Sequence, residues 1–420
     1  MDPGSEIVVT GMGVVSPIGT GLEAFADALW SGRSGIRRIR QFDGPDVPVC
    51  LGAEVVDFDP KQYVRPRKSL KVMDREIQLG VAAADMACVH AGLHEHRVAP
   101  ERIGVLFGAD LMACNLEELA PTYRGCIVEG RFDFGRWWPQ VASELFPLWM
   151  LKYLPNMPAC HIGIAQDARG PNNTIALGEV SSVSALAEAM RVIERGQADV
   201  MIAGGASSRV HPAFLLRAAI RDVAPTEDPA TVCRPFDARR RGMINGEGAA
   251  ALILETRRHA QARRAPILAR LLGFGLAFEP PVNGRPSTGR GLRRAIEGAL
   301  SVAGIAAADI GHVNAHAAGE IAADRTEAVA IRAVLGDVPV VAPKSYFGNL
   351  GAAGGAVEIV ASLLALQASR VPPTLNYEFP DPDCPVHVVC RQPLPVAKPA
   401  VLKVCHCRTG QAGALVLAAP

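Results

Sequence analysis

GPNNTIALGEVSSVSALAEAMRVIERGQADVMIAGGAS, residues 170–207, reads as one strand–turn–helix–strand unit. A Gly-Pro-Asn turn (Gly170, Pro171, Asn172) leads into a strand-like run, NNTIALG. A helix follows, with Val183, Leu186, Met190 and Ile193 spaced along one buried face and Gly196 as its stop. ADVMIAGGAS is a continuous apolar run ending in small residues, the pattern of a central strand covered on both faces. The turn between the first strand and the helix is a place where enzymes hold a nucleophile. Here the residue at that turn is Glu179, a carboxylate.

The same alternation recurs along the chain. EIVVTGMGVVS reads as a buried strand and turn, and ERIGVLFGAD as another strand. MDREIQLGVAAADMACVHAGL reads as a helix with Ile77, Val81, Ala84 and Ala87 near one face. In the second half ADIGHVNAH and VPVVAPKS are strands. The Gly-rich turn FGNLGAAGG leads into the helix AVEIVASLLALQASR, and the chain closes as strand, turn and strand. This predicts an α/β protein of two similar halves, residues 1–255 and 256–420, with a seam in ALILETRRHAQARRAPILARLLGFG. Residues 112–160 break the pattern and hold three of the four tryptophans. They read as an insertion that either lines a pocket or subunit interface, or forms a surface cap.

The totals narrow the class. Of 420 residues, 49% are hydrophobic and 20% charged, enough for a large buried core. Lys plus Arg is 43 against 42 Asp plus Glu, which gives no sign of a nucleic-acid-binding body. The start has no signal-type pattern, and no run of about 18 apolar residues suggests a membrane span. The ten scattered cysteines read as reduced thiols of a cytoplasmic protein. Cys405-His406-Cys407 lacks a second ligand pair at metal spacing, since Cys384 and Cys390 stand six apart, so no metal site is expected.

Six segments in order carry a family resemblance: VVTGMGVVSPIG, the 170–207 unit, CRPFDARRRGMINGEGAAALILE, HVNAHAAGEIAADRTEA, VAPKSYFGNLGAAGGAVEIVASLLAL and VPPTLNYE. Over nearly its whole length the chain resembles the β-ketoacyl-acyl-carrier-protein synthases of type II fatty acid and polyketide synthesis. The resemblance implies the thiolase fold, two α/β halves forming a five-layered α-β-α-β-α core. It also implies a dimer and an acyl carrier protein that delivers substrate on phosphopantetheine, with no cofactor of the chain's own. Family members take an acyl chain onto a cysteine at a helix N-terminus, where the dipole lowers the thiol pKa. Two histidines then handle the malonyl thioester and its enolate.

Carried onto this chain, the nucleophile position falls on Glu179 and the first histidine on His316. Its acidic partners fall on Asp324 and Glu327, the lysine on Lys344 and the second histidine on Asn349. The Phe that gates the acyl pocket is replaced by Arg408. A carboxylate is a poor acyl acceptor from a thioester, and Asn cannot shuttle a proton as His does. Condensation by the usual mechanism is therefore not expected. The paired changes suggest an Arg408–Glu179 ion pair closing the pocket, because an unpaired buried carboxylate costs several kcal/mol.

Three functions compete. The chain resembles a chain-length factor, a non-condensing partner of an active ketosynthase, although that class often has Gln at the cysteine and tends to lose the histidine kept here. An altered enzyme is the alternative, either a malonyl-carrier-protein decarboxylase or a hydrolase with Glu179 as base. The third is an ordinary 3-oxoacyl-carrier-protein synthase using Cys407. A basic cluster, Arg65, Arg67, Lys68 and Lys71, matches the place where the family meets its acidic carrier protein, and reads equally as a solvated turn.

Overall fold

The first strand, β1 (Ile7–Ser16), is buried at every position, as its unbroken apolar run requires. Its glycines let a helix lie close. A Cβ on Gly11 or Gly13 would collide with the backbone of α1 (Arg75–His90) at Ala87 and Ala83. In the computed structural model residues 3–39, 51–94, 98–219, 228–280 and 287–420 are described.

The remaining main strands are β2 (Ile103–Ala109), β3 (Asn172–Ile175), β4 (Val200–Ser208), β5 (Glu247–Thr256), β6 (Ala269–Phe278), β7 (Ile310–Asn314), β8 (Pro339–Val341), β9 (His387–Val388), β10 (Ala400–His406) and β11 (Gln411–Ala418). They hydrogen-bond in the order β9-β8-β7-β10-β11-β6-β1-β5-β4-β2-β3. β1 and β6 pair antiparallel, with Ile7 opposite Leu271.

Four further helices complete the layers: α2 (Ser181–Glu194), α3 (Arg290–Ala303), α4 (Ile321–Leu335) and α5 (Gly354–Gln367). One core cluster packs α1 on the outer face of β1, β5, β4 and β2. A second surrounds α2 and α5, which touch each other between the halves. A third packs α3 and α4 outside β6, β11, β10 and β7. The result is the five-layered α/β thiolase fold. The face expected of α2 is buried as read, through Val183, Leu186, Met190 and Ile193. Among the described residues no helix is long and apolar enough to cross a membrane.

The insertion folds into helices Leu116–Gly125 and Trp137–Glu144 with a small hairpin between them. Tyr123, Phe132 and Trp137 cluster with ring centroids 5.2–6.3 Å apart. Its outward face stays apolar: Phe134 is 75% exposed and Trp138 74%. β3 is the last strand on its side of the sheet, and Asn172 and Asn173 are exposed.

Candidate active site

The turn before α2 is built as its sequence suggests. Gly178 takes a left-handed φ of +60°, and Leu177 N–H donates to Ser181 Oγ at 2.8 Å. Ser181 Oγ donates in turn to the Gly178 carbonyl at 2.6 Å. This turn sets Glu179 at the start of the helix, where the dipole favours an anion by about 0.3–1 kcal/mol.

Glu179 is ion-paired, but not with the residue expected. Its partner is Arg209, just past β4, whose Nη1 donates to Glu179 Oε1. Arg408 lies in the exposed turn between β10 and β11, so the expected Arg408–Glu179 pair does not form. The physical reason is reach. Arg209 leaves the end of a central strand directly beneath the helix start and also grips Asp110. Arg209 Nε donates to Asp110 Oδ2 at 2.9 Å and Nη2 to Oδ1 at 3.2 Å. Asp110 further accepts from Ser207 Oγ at 2.7 Å and Ala352 N–H at 3.2 Å. Gly351 permits this packing, because a Cβ there would collide with Asp110 Oδ2 and Arg209 Nε.

Asn349 completes the cluster. Its Nδ2 donates to Glu179 Oε1 at 3.3 Å, and its Oδ1 accepts from Gly351 N–H at 3.2 Å. Burial pushes the Glu179 carboxyl up. The Arg209 charge and hydrogen bond, its own amide and Asn349 outweigh that and hold it down at about 2. Burial works against the Arg209 cation, but its two carboxylates raise its pKa above the ordinary arginine value.

Beside this cluster stands His316, buried at the end of β7. Its Nδ1 lies 3.1 Å from Lys344 Nζ, and its ring centroid 4.6 Å from that of His406. Lys344 is an ammonium donor, so Nδ1 accepts and the ring proton sits on Nε2. Burial, then the charges of Lys344, His406, Lys403 and Arg209, hold His316 well below its usual pKa, as a neutral ring. Lys344 Nζ also donates to Glu358 Oε1 at 2.5 Å, and Lys403 takes the other oxygen of that carboxylate.

The two acids named with His316 serve its loop rather than its ring. Glu327 accepts from the N–H groups of His316 at 2.6 Å and Ala317 at 2.8 Å, with His406 Nε2 at 3.4 Å. Burial raises its carboxyl, but His406 and these amides bring it below the usual value. Asp324 accepts from Phe236 N–H at 3.0 Å and Gly319 N–H at 3.2 Å, and burial pushes it up to about 6.

The structure thus gathers Glu179, Asn349, His316, Lys344, Asp324 and Glu327, and leaves Arg408 outside. Arg65, Arg67, Lys68 and Lys71 are exposed on and beside the turn Arg67–Val72. Sequence reading missed Arg209, Asp110, His406 and Glu320. For Arg209 the available signal was a lone cation at the end of an otherwise apolar strand. Glu320 is half-buried on the His316 loop, where burial and the charges of Glu179 and Asp324 raise it to about 7, against His406 and Arg209.

Cys407 follows β10 in the turn between two strands and lies against Gly178, where an added Cβ would stand 3.7 Å from that of Cys407. Its Sγ meets Gln411 Oε1 at 2.8 Å and Thr409 Oγ1 at 3.0 Å. Cys405 is buried in the strand, which pushes its thiol up to about 12. Among the described residues no group of three His, Cys, Asp or Glu side chains gathers around a metal-sized point, and nine cysteines are free thiols.

A fold of this kind with His316 and Lys344 at the centre and a helix start facing them defines a condensing-enzyme scaffold. Residues 4–260 match the family model for the beta-ketoacyl synthase N-terminal domain, and residues 268–378 that for its C-terminal domain. The chain belongs to the beta-ketoacyl synthase family. It is 36% identical to a "Putative polyketide beta-ketoacyl synthase 1" of Streptomyces cyaneus, over 99% of this chain and 98% of that one. Among solved structures it is similar to the ishigamide ketosynthase/chain length factor, with a TM-score of 0.87, 30% identity and 99% of each chain covered. It is also similar to a type II polyketide synthase assembly of an acyl-carrier protein with its ketosynthase bound to the hexaketide. There the TM-score is 0.86, with 26% identity and 99% of each chain covered.

Proposed function

We propose that this chain is a non-condensing, chain-length-factor-like partner of an active ketosynthase in type II polyketide or fatty acid synthesis. The observation that carries this reading is the Glu179–Arg209–Asp110 cluster. The residue at the nucleophile's position is an ionised carboxylate, tied to a guanidinium and to Asn349. It lacks a thiolate's nucleophilicity toward a thioester. The apolar outer face of the insertion supports a paired subunit there. The similar ketosynthase/chain length factor structure supports the same pairing.

The decarboxylase reading is disfavoured by charge. Asp110 and Glu179 together outweigh Arg209, which opposes a malonyl carboxylate at the helix start. Cys407 sits in a turn between strands rather than in the first turn of a helix, with its Sγ engaged by Gln411 and Thr409, which disfavours an ordinary condensing reaction through it.

The test is intact-mass spectrometry of the purified chain with malonyl- and acyl-carrier protein. The expected result is no acyl adduct on this chain and no conversion of malonyl- to acetyl-carrier protein. Either product would sink the reading. Size exclusion with a co-expressed ketosynthase should give a one-to-one complex. The exposed basic cluster is proposed to meet the carrier protein. Reversing Arg67 and Lys68 to Glu should weaken carrier binding at least tenfold and flatten its salt dependence, measured by titration calorimetry. Unchanged affinity would remove the cluster from the interface.

A further inference from the structure

The Asn349 carboxamide is engaged at every atom that can bond, and its contacts differ in strength. Oδ1 accepts from Gly351 N–H at 3.2 Å, and Nδ2 donates to Glu179 Oε1 at 3.3 Å. The third contact runs from Nδ2 to the thioether Sδ of Met243 at 3.4 Å. Thioether sulfur is a weak acceptor, so this is the weakest of the three. The main chain ties the two segments as well. Asn349 N–H donates to the Ile244 carbonyl at 2.7 Å, Gly246 N–H donates to the Asn349 carbonyl at 3.0 Å, and Asn245 and Asn349 form a parallel bridge. Met243 is half-buried, so it keeps some surface in solvent while it touches the site. Met12, Met73, Met112, Met190 and Met201 are buried, and Met86 and Met157 pack against a core cluster. Met150, 61% exposed, lies in the insertion.

We infer that Met243 is a modification site for hydrogen peroxide, and that its oxidation releases Asn349 from Glu179 and from Gly351. A sulfur lone pair attacks one oxygen of the peroxide. The S–O bond forms as the O–O bond breaks, and the proton on the transferred oxygen passes to the departing hydroxide. Sulfur is oxidised by two electrons and the peroxide is reduced by two. One thioether and one hydrogen peroxide become one sulfoxide and one water.

The product does not fit the contacts of the reduced form. At 3.4 Å, Sδ and Nδ2 already touch, and no oxygen can stand between them. A sulfoxide oxygen on that side displaces the Asn349 amide. Being a polar acceptor where the thioether was a weak one, it also draws Nδ2 away from Glu179 Oε1. A sulfoxide oxygen on the solvent side leaves the sulfur electron-poor and takes the acceptor from Nδ2. Either way the amide leaves the orientation in which Oδ1 holds Gly351 N–H. Glu179 keeps Arg209, so the ion pair survives and the change is confined to the turn after Asn349. The modification requires no second subunit, so it stands apart from the partner role proposed above.

The experiment treats the full-length chain with hydrogen peroxide, then with dithiothreitol to return oxidised thiols, and maps single-oxygen additions by peptide mass spectrometry. Met243 and Met150 should both gain one oxygen. Hydrogen exchange at Gly351 N–H should then quicken about tenfold, the equivalent of one lost hydrogen bond. Methionine sulfoxide reductases A and B together should restore the original exchange. Met243→Leu should remove the response while Met150 is still oxidised. Met150→Leu should leave the response intact, which keeps the test open if the Met243 variant does not fold. A Met243 that stays reduced where Met150 is fully oxidised would overturn the assignment. So would unchanged exchange at Gly351 in the oxidised chain, or a response that persists in Met243→Leu or disappears in Met150→Leu.

Discussion

Replacing Arg209 with Met is expected to destabilise the protein by about 3–5 kcal/mol, because it leaves Asp110 and Glu179 facing each other without their cation. The effect exceeds the loss of two hydrogen bonds. Arg209 is only 15% exposed at its side chain and Glu179 17%, so water does little to screen the remaining charges. The triple variant Asp110→Asn, Glu179→Gln, Arg209→Met should recover most of the loss, since no charge is then stranded. Differential scanning calorimetry of the single and triple variants distinguishes this from a packing defect, which the triple variant would not repair. Acid should act on the same cluster. The folded Glu179 carboxyl is held at about 2, below its unfolded value of about 4.5. Its contribution, up to about 3 kcal/mol, is present above pH 4.5 and is lost as pH falls toward 2. In the Arg209→Met variant this acid-dependent contribution should vanish.

The second large effect is expected at His312, in the middle of β7. It is 1% exposed, and neither ring nitrogen meets a hydrogen-bond partner among the described residues. Burial lowers its pKa to about 4. Between pH 6.5 and 4 the unfolded chain binds a proton that the folded chain refuses, so stability falls as pH drops through that window. The loss reaches about 3 kcal/mol by pH 4 and levels off below it. His312→Phe should abolish this part of the acid sensitivity. It should also gain about 1–3 kcal/mol at neutral pH by removing unpaired polar atoms from the core. Melting temperatures of both proteins from pH 4 to 7.5 provide the check. Parallel curves would show that another group governs the acid transition.

Much of the architecture was legible in the chain itself. Unbroken apolar runs marked β1 and β4, and the spacing of Val183, Leu186, Met190 and Ile193 marked the buried face of α2. Local patterns of this kind survive because burial on both faces demands them. The positions of Glu179, His316, Lys344 and Asn349 were legible too, because ordered motifs fix them. The partner of Glu179 was not. Arg408 and Arg209 are both arginines near glycine-rich turns. Which of them reaches the carboxylate depends on where β4 and the β10–β11 turn end in space.

The chain's own order of residues therefore determined the α/β layering and the helix start that presents Glu179. The tertiary structure alone decided the charges around it. It set Arg209 between Asp110 and Glu179 across three separate strand and helix ends. It also turned His316 toward Lys344 and left Glu320 without a hydrogen-bond or ion-pair partner among the described residues. Ion pairing is short-ranged, and the partners lie 30 and 99 residues away in sequence from Arg209. No local pattern records such a distance, because it is set only when the sheet's strands take their final order.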